Sequence, residues 1–272
     1  MKNHNSTIFC RLKKISSRYS RPYFTVLLTI LLISFCLDGY AVKSFQNEKL
    51  NYVISYKWGL IHKETGEATL TLKNNGNYYN VSLTAKTRPW ADRLYQVRDT
   101  LKGTINATNL KPISYEKLTH EKGEYKRDAI KFSYSGNVTR GTAIRERYKK
   151  GKPSVTEKTF SASGDVFDML SVFYYLRSLD YGSFTKGKTL QATIFSGKQK
   201  ETIRIKYLGK EKVKLKNKNE RESYHIEFNF TSSGGKKSSD DMNVWISTDS
   251  KHIPLYLTAK LPIGEVRAYY ME

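Results

Sequence analysis

The sequence predicts an all-β, mainly antiparallel protein: a curved sheet or an open β-barrel or half-barrel with one prominent α-helix at about 165–179. Three observations predict it. From Leu50 onward apolar residues recur with a period of two, as half-buried strands require. Clusters of Asn, Gly and Ser separate these runs at hairpin-like intervals. A single stretch switches to spacings of three and four.

Ahead of the first strand, Lys2, Arg11, Lys13, Lys14, Arg18 and Arg21 precede an apolar run from Tyr23 to Leu37. Fifteen residues fall short of the roughly 20 that span a bilayer as a helix, and Gly39 and Ala41 supply small residues for a signal peptidase. The expectation is a signal peptide over 1–41, cleaved near Ala41, and a single β-rich domain over 42–272. A lipoprotein signal at Cys36 ranks lower because Phe35 precedes it, as does an uncleaved anchor. Cys10 and Cys36 both lie in this segment, so the chain from Val42 has no disulfide and no thiol nucleophile. It holds 41 basic and 24 acidic residues, a net charge of +17. For an exported, periplasmic or envelope-associated protein, that charge points to lipid headgroups or acidic glycans as counterions rather than to nucleic acid.

The first strand places Leu50, Tyr52, Ile54, Tyr56 and Trp58 on one face. The alternation returns at Ala68–Leu72, Tyr79–Ala85, Ile130–Tyr134, Ile203–Tyr207 and Tyr224–Phe230, with turns at Asn74–Asn77, Ser135–Asn137 and Ser232–Gly235. A dozen or more strands follow. In the helix, Val166, Met169, Leu170, Phe173 and Leu176 form the apolar stripe, and Asp165 is the expected cap. Core packing against a curved sheet explains the stripe, with a plug over a sheet cavity as the alternative. Further on, Lys212, Lys214, Lys216 and Lys218 alternate with Val213 and Leu215, a row that could gather phosphates or carboxylates and that equally protects an edge strand from self-pairing, the favoured reading.

Gly182–Thr189 matches the phosphate-loop pattern in full. That loop must leave a strand and open a helix so that backbone amides converge on phosphate. Here a helix precedes it and β-rich sequence follows, so no nucleotide is expected. Ser114 with Lys117, Ser183 with Lys186 and Ser233 with Lys236 repeat the Ser-x-x-Lys spacing, yet in a strand residues three apart face opposite ways. His62, His120, His225 and His252 show no metal-ligand spacing. The reading is therefore non-enzymatic, with no catalytic residues, no metal and no cofactor.

The order of segments resembles the exported bacterial DUF3108 family of unknown function. The resemblance rests on Trp58-Gly59-Leu60-Ile61, Arg98-Asp99, Leu110–Glu116, Asp168–Ser171 with Tyr175-Leu176-Arg177, and Trp245-Ile246-Ser247 with Asp249 and Ile253-Pro254. It covers nearly the whole chain from Val42 and departs at Lys216–Glu220. It implies export and a β-rich domain organised like envelope carriers, in which a curved sheet wraps a helix.

The first functional reading is a periplasmic protein that binds or escorts an apolar or amphipathic, anionic envelope component. Such a carrier needs a closed apolar cavity of several hundred Å³. The second is an adaptor docking on an envelope complex or acidic polysaccharide; the third is a carboxylate hydrolase. Candidate ligand contacts are Trp58, Trp90, Arg98, Asp168, Arg177 and Trp245. Arg177 and Asp168 also have structural reasons, since a cation suits a helix C-terminus and an anion its N-terminus.

Overall fold

The computed structural model describes residues 43–272 except 94, 122–123, 150, 233–234, 236–238 and 263. The expected signal segment, both cysteines and the cleavage point at Ala41 lie outside the described residues.

Period-two alternation becomes one fifteen-stranded sheet. Its first half comprises β1 (Glu48–Trp58), β2 (Ile61–Asn74), β3 (Tyr78–Thr87), β4 (Val97–Asn106), β5 (Pro112–Glu121), β6 (Glu124–Ser135), β7 (Val138–Lys149) and β8 (Lys152–Ser163). The second half comprises β9 (Val166–Phe167), β10 (Thr189–Phe195), β11 (Lys200–Lys214), β12 (Glu220–Ser232), β13 (Met242–Ser247), β14 (Pro254–Lys260) and β15 (Glu265–Met271). Each half is a meander of neighbouring strands, and β15 pairs antiparallel with β1, so the halves join at the middle of the strand order. Among the described strands, β9–β10 is the one parallel pair.

The two edges of the sheet, β8 and β9, are linked through Gly164 and Asp165. The barrel nearly closes at this point. Phe195 of β10 packs against Phe160 of β8 at 5.4 Å and stacks on Phe132 of β6 at 6.0 Å. Gly141 makes the approach possible, because a Cβ there would lie 2.7 Å from Phe195 Cδ2. Register shifts at Ile54/Ser55, Thr104/Ile105, Tyr207/Gly209 and Trp245/Ile246 bend the strands, as curvature on this scale requires.

Among the described residues two α-helices interrupt the strands: α1 (Pro89–Asp92), between β3 and β4, and α2 (Ser171–Ser178), between β9 and β10. The sequence pattern ran the second from about 165 to 179. The structure shortens it because Val166 and Phe167 pair with Thr193 and Ile194 instead of joining the helix. Asp165 consequently spends its carbonyl on the Thr193 amide, and Asp168 takes over the capping role.

The α2 stripe is core packing, and it serves two cores. Leu170 and Tyr174 join a cluster with Leu50, Leu70, Tyr79 and Ile130 of the first half. Val172 and Leu176 join another with Ile194, Ile203, Ile226 and Ile246 of the second half. The helix thus fills the interior between two walls of one sheet. Each such apolar side chain taken from water contributes about 1.5–3 kcal/mol.

The Lys-rich row combines two environments. β10 pairs with β11 only as far as Lys206, so the end of β11 carrying exposed Lys212 and Lys214 is an edge. Lys216 and Lys218 lie in the following turn, where Lys216 reaches Glu64 at 2.8 Å. Edge protection therefore accounts for the strand lysines and a tertiary ion pair for Lys216.

Candidate ligand-binding site

Between α2 and strands β1, β2, β3, β14 and β15 the packing leaves an apolar cleft of about 180 Å³. Tyr52, Ile54, Leu83, Phe173, Leu257 and Ala268 are among its walls. The strand residues face inward by alternation: Ile54 pairs with Ala268, which in turn pairs with Leu257. This differs from the expected closed cavity of several hundred Å³. The cleft is half-open and small, because α2 occupies most of the interior that an empty barrel would offer.

The C-terminal end of α2 holds a buried ion pair. Arg177, 1% exposed, meets Glu48 of β1 through two bonds of 2.5 and 2.9 Å. Its remaining donors reach the carbonyls of His252 at 3.0 Å and Lys251 at 3.1 Å. Tyr174 Oη donates to Glu48 at 3.2 Å, and the guanidinium lies 4.9 Å from the Phe45 ring centre and 5.2 Å from that of Tyr174. Burial acts to lower the Arg177 pKa, and Glu48 more than offsets it, so the value is raised. Nearby Lys43 is brought down to about 8 by partial burial and by the charge of Arg177.

At the other end Asp168, fully buried, accepts from the amides of Leu170 at 2.6 Å and Ser171 at 3.0 Å through Oδ1. Ser171 Oγ accepts in return from the Asp168 amide at 2.8 Å. Oδ2 has no hydrogen-bond partner on the protein, and neither has the buried hydroxyl of Tyr115. Burial raises the Asp168 pKa to about 6 against the opposing pull of those amides. Burial above all, with the charges of Asp168, Asp128 and Asp99, pushes the Tyr115 pKa well up.

The six sequence-derived candidates do not converge. Asp168 and Arg177 sit at opposite ends of α2 and hold the helix rather than face the cleft. Arg98 is committed to Asp92 of α1 at 2.7 and 3.0 Å, which ties the start of β4 to the β3–β4 connection. Trp245 stacks on His225 at 4.3 Å and bonds Glu211 through Nε1 at 2.5 Å, within a ladder that continues to Tyr256 and Tyr269. Trp58 is exposed at the end of β1, and Trp90 is exposed on α1 with Nε1 donating to the Glu64 carbonyl at 3.2 Å. Sequence reasoning missed Glu48 and the cleft walls Ile54, Leu83, Leu257 and Ala268. The inward register could have nominated the walls; nothing local marks Glu48.

Other motifs resolve structurally. Gly182–Thr189 passes from a 3-10 turn (Tyr181–Ser183) into β10, with the Gly187 amide bonded to the Tyr207 carbonyl. Ser114 and Lys117 lie on β5, three residues apart, and so face opposite ways. Among the described residues no three of His, Cys, Asp and Glu gather as a metal-binding group, and no helix is long and apolar enough to cross a membrane.

A family model described as "Protein of unknown function (DUF3108)" matches residues 51–271. No curated protein matches the chain. Among solved structures, the chain is similar to a β-barrel-like protein of the domain of unknown function DUF1849 from Brucella abortus. The TM-score is 0.59 at 11% identity, covering 84% of this chain and 97% of that one. At that identity the likeness is one of fold.

Proposed function

The chain belongs to the DUF3108 family, a family of unknown function with, here, a β-barrel-like fold, and we propose that it is an exported, non-enzymatic protein that holds an apolar or amphipathic component of the cell envelope. The observation that carries this reading is the cleft beside α2, whose walls are almost wholly apolar. Small-molecule sites usually occupy roughly 300–1,000 Å³. A cleft of about 180 Å³ that opens to solvent therefore suits one segment of an acyl chain, with the rest of the ligand outside. The positive charge of the chain from Val42 favours an anionic head on that ligand.

Native mass spectrometry of the full chain purified from its own cells, with lipid extraction, tests the proposal. The expected result is a reproducible acyl-bearing adduct. Ala268→Phe, which projects a ring into the cleft from a half-buried position, is expected to remove most of it while the fold persists. A clean apo mass, or an adduct indifferent to Ala268→Phe, overturns the reading.

A further inference from the structure

At one end of the barrel the β1–β2 hairpin carries apolar side chains into solvent. Trp58 is 58% exposed, Leu60 fully exposed and Ile61 50% exposed, so three of four successive residues are large, apolar and uncovered. Gly59 between them has a φ of +55°, and a Cβ on it would meet nothing within 4 Å, as expected of a tip that projects. Isolated exposed apolar residues are ordinary, but a cluster on a convex tip is not.

Neighbouring elements enlarge the cluster. The β14–β15 turn is pressed onto β1: a Cβ at Gly264 would lie 2.4 Å from the Lys57 carbonyl oxygen, and Glu265 pairs with Lys57. Exposed Leu261 opens that same turn, its amide donating to the Gly264 carbonyl. On the other flank Trp90, 40% exposed, is tied to Glu64 of β2, with Lys63 Nζ 5.5 Å from its ring centre.

Charge around the tip has one sign. Glu64 is held by Arg88 at 2.6 Å and Lys216 at 2.8 Å, and Glu265 by Arg267 at 2.6 Å. With those acids neutralised, exposed Lys57, Lys63 and Lys260 set the outward charge. A convex apolar point cannot enclose a small ligand. An indole and aliphatic side chains ringed by lysines match instead the layered chemistry of a bilayer surface, acyl chains beneath an anionic headgroup plane.

We propose that the Trp58–Ile61 tip, with Leu261 and Trp90 beside it, docks on and enters the surface of an anionic lipid bilayer, with Lys57, Lys63 and Lys260 at headgroup level. The proposal stands on a different surface from the cleft and does not require it. Where the cleft does carry an acyl ligand, the tip supplies the contact with the membrane that gives or receives it.

Flotation of the full chain with phosphatidylglycerol-rich or phosphatidylcholine vesicles tests this, because the variants compared share the same N-terminal segment. The wild type is expected to float with the anionic vesicles and to be released by salt. Leu60→Asp is expected to weaken binding at least ten-fold, and Lys63→Gln about five-fold, the worth of one juxtamembrane charge. In a Trp90→Phe, Trp245→Phe background, Trp58 emission is expected to shift to the blue and to be quenched by brominated lipid. Ala268→Phe, which blocks the cleft alone, is expected to float like the wild type.

Flotation of Leu60→Asp equal to wild type overturns the proposal, as does Trp58 emission indifferent to vesicles. A concentration-dependent dimer that Leu60→Asp dissolves, without vesicle binding, also overturns it and assigns the tip to a second copy of the chain.

Discussion

The two ends of α2 each bury a charge, and they treat it differently. At the C-terminal end Arg177 is satisfied by Glu48, two carbonyls and two aromatic faces. At the N-terminal end Asp168 has amides on one oxygen and no protein partner on the other. Both charges have the sign that the helix dipole favours. The difference lies in how desolvation is offset. The C-terminal charge is neutralised by an opposite charge from β1, more than a hundred residues away in sequence, and so ties the two meanders together. The N-terminal charge is held only by local dipoles, and its pKa moves instead.

Disrupting the paired end is the most costly change. Glu48→Gln leaves Arg177 buried without its counter-charge and is expected to lower stability by about 3–5 kcal/mol, read from the urea midpoint. Adding Arg177→Met to that variant is expected to recover part of the loss, because the uncompensated charge is then gone. If Glu48→Gln shifts the midpoint no more than a surface substitution, the claim that this pair locks α2 to β1 is wrong.

The other end is expected to respond to pH. A carboxyl whose folded pKa is about 6, against an ordinary value near 4, holds its proton more tightly in the folded chain than in the unfolded one. The folded state is therefore favoured below the ordinary value and loses stability as pH rises towards 6 and beyond. The full cost of the ionised group is about 3 kcal/mol. Asp168→Asn keeps an acceptor for the Leu170 and Ser171 amides and removes the charge. It is expected to match the wild type near pH 4 and to exceed it by up to about 3 kcal/mol at pH 8. Urea melts at the two pH values check this, and an unchanged pH slope in the variant rules out Asp168 as its source.

The contrast also explains which parts of the molecule could be read from the chain. Alternation at Leu50–Trp58 or Tyr224–Phe230 is a local pattern, and sheet burial on one face produces it directly, so the strands and the all-β class were legible. So was the family, from ordered segments such as Asp168–Arg177 and Trp245–Ser247. The helix start was misplaced because Val166 and Phe167 satisfy a helical spacing and a strand equally well; pairing with β10, which local sequence does not encode, decides between them. Arg177 and Asp168 were legible as helix-end charges, but Glu48 was not, since its partner Arg177 lies 129 residues away in sequence and meets it only in the folded barrel. The cleft depends on how far α2 fills the barrel, a volume difference that residue patterns do not carry. Trp58 and Trp90 were nominated as cavity residues, whereas the structure puts both on the outside of one end.

A milder change tests the unpaired end. Ser171 Oγ accepts from the Asp168 amide while the Ser171 amide donates to Asp168 Oδ1, a reciprocal cap. Ser171→Ala removes one half of it and is expected to cost about 1 kcal/mol, within the range for losing a helix cap. The Ser171 hydroxyl is also among the groups that hold the Asp168 pKa down against burial. Its loss is therefore expected to move the pH-dependent fall in stability upward from about 6, while leaving any destabilisation measured with Glu48→Gln unchanged. A shift that is additive with Glu48→Gln shows that the ends of α2 are anchored independently. A coupled response shows that the helix yields as one body, so that loosening either end would also reshape the cleft wall that Met169, Leu170 and Phe173 provide.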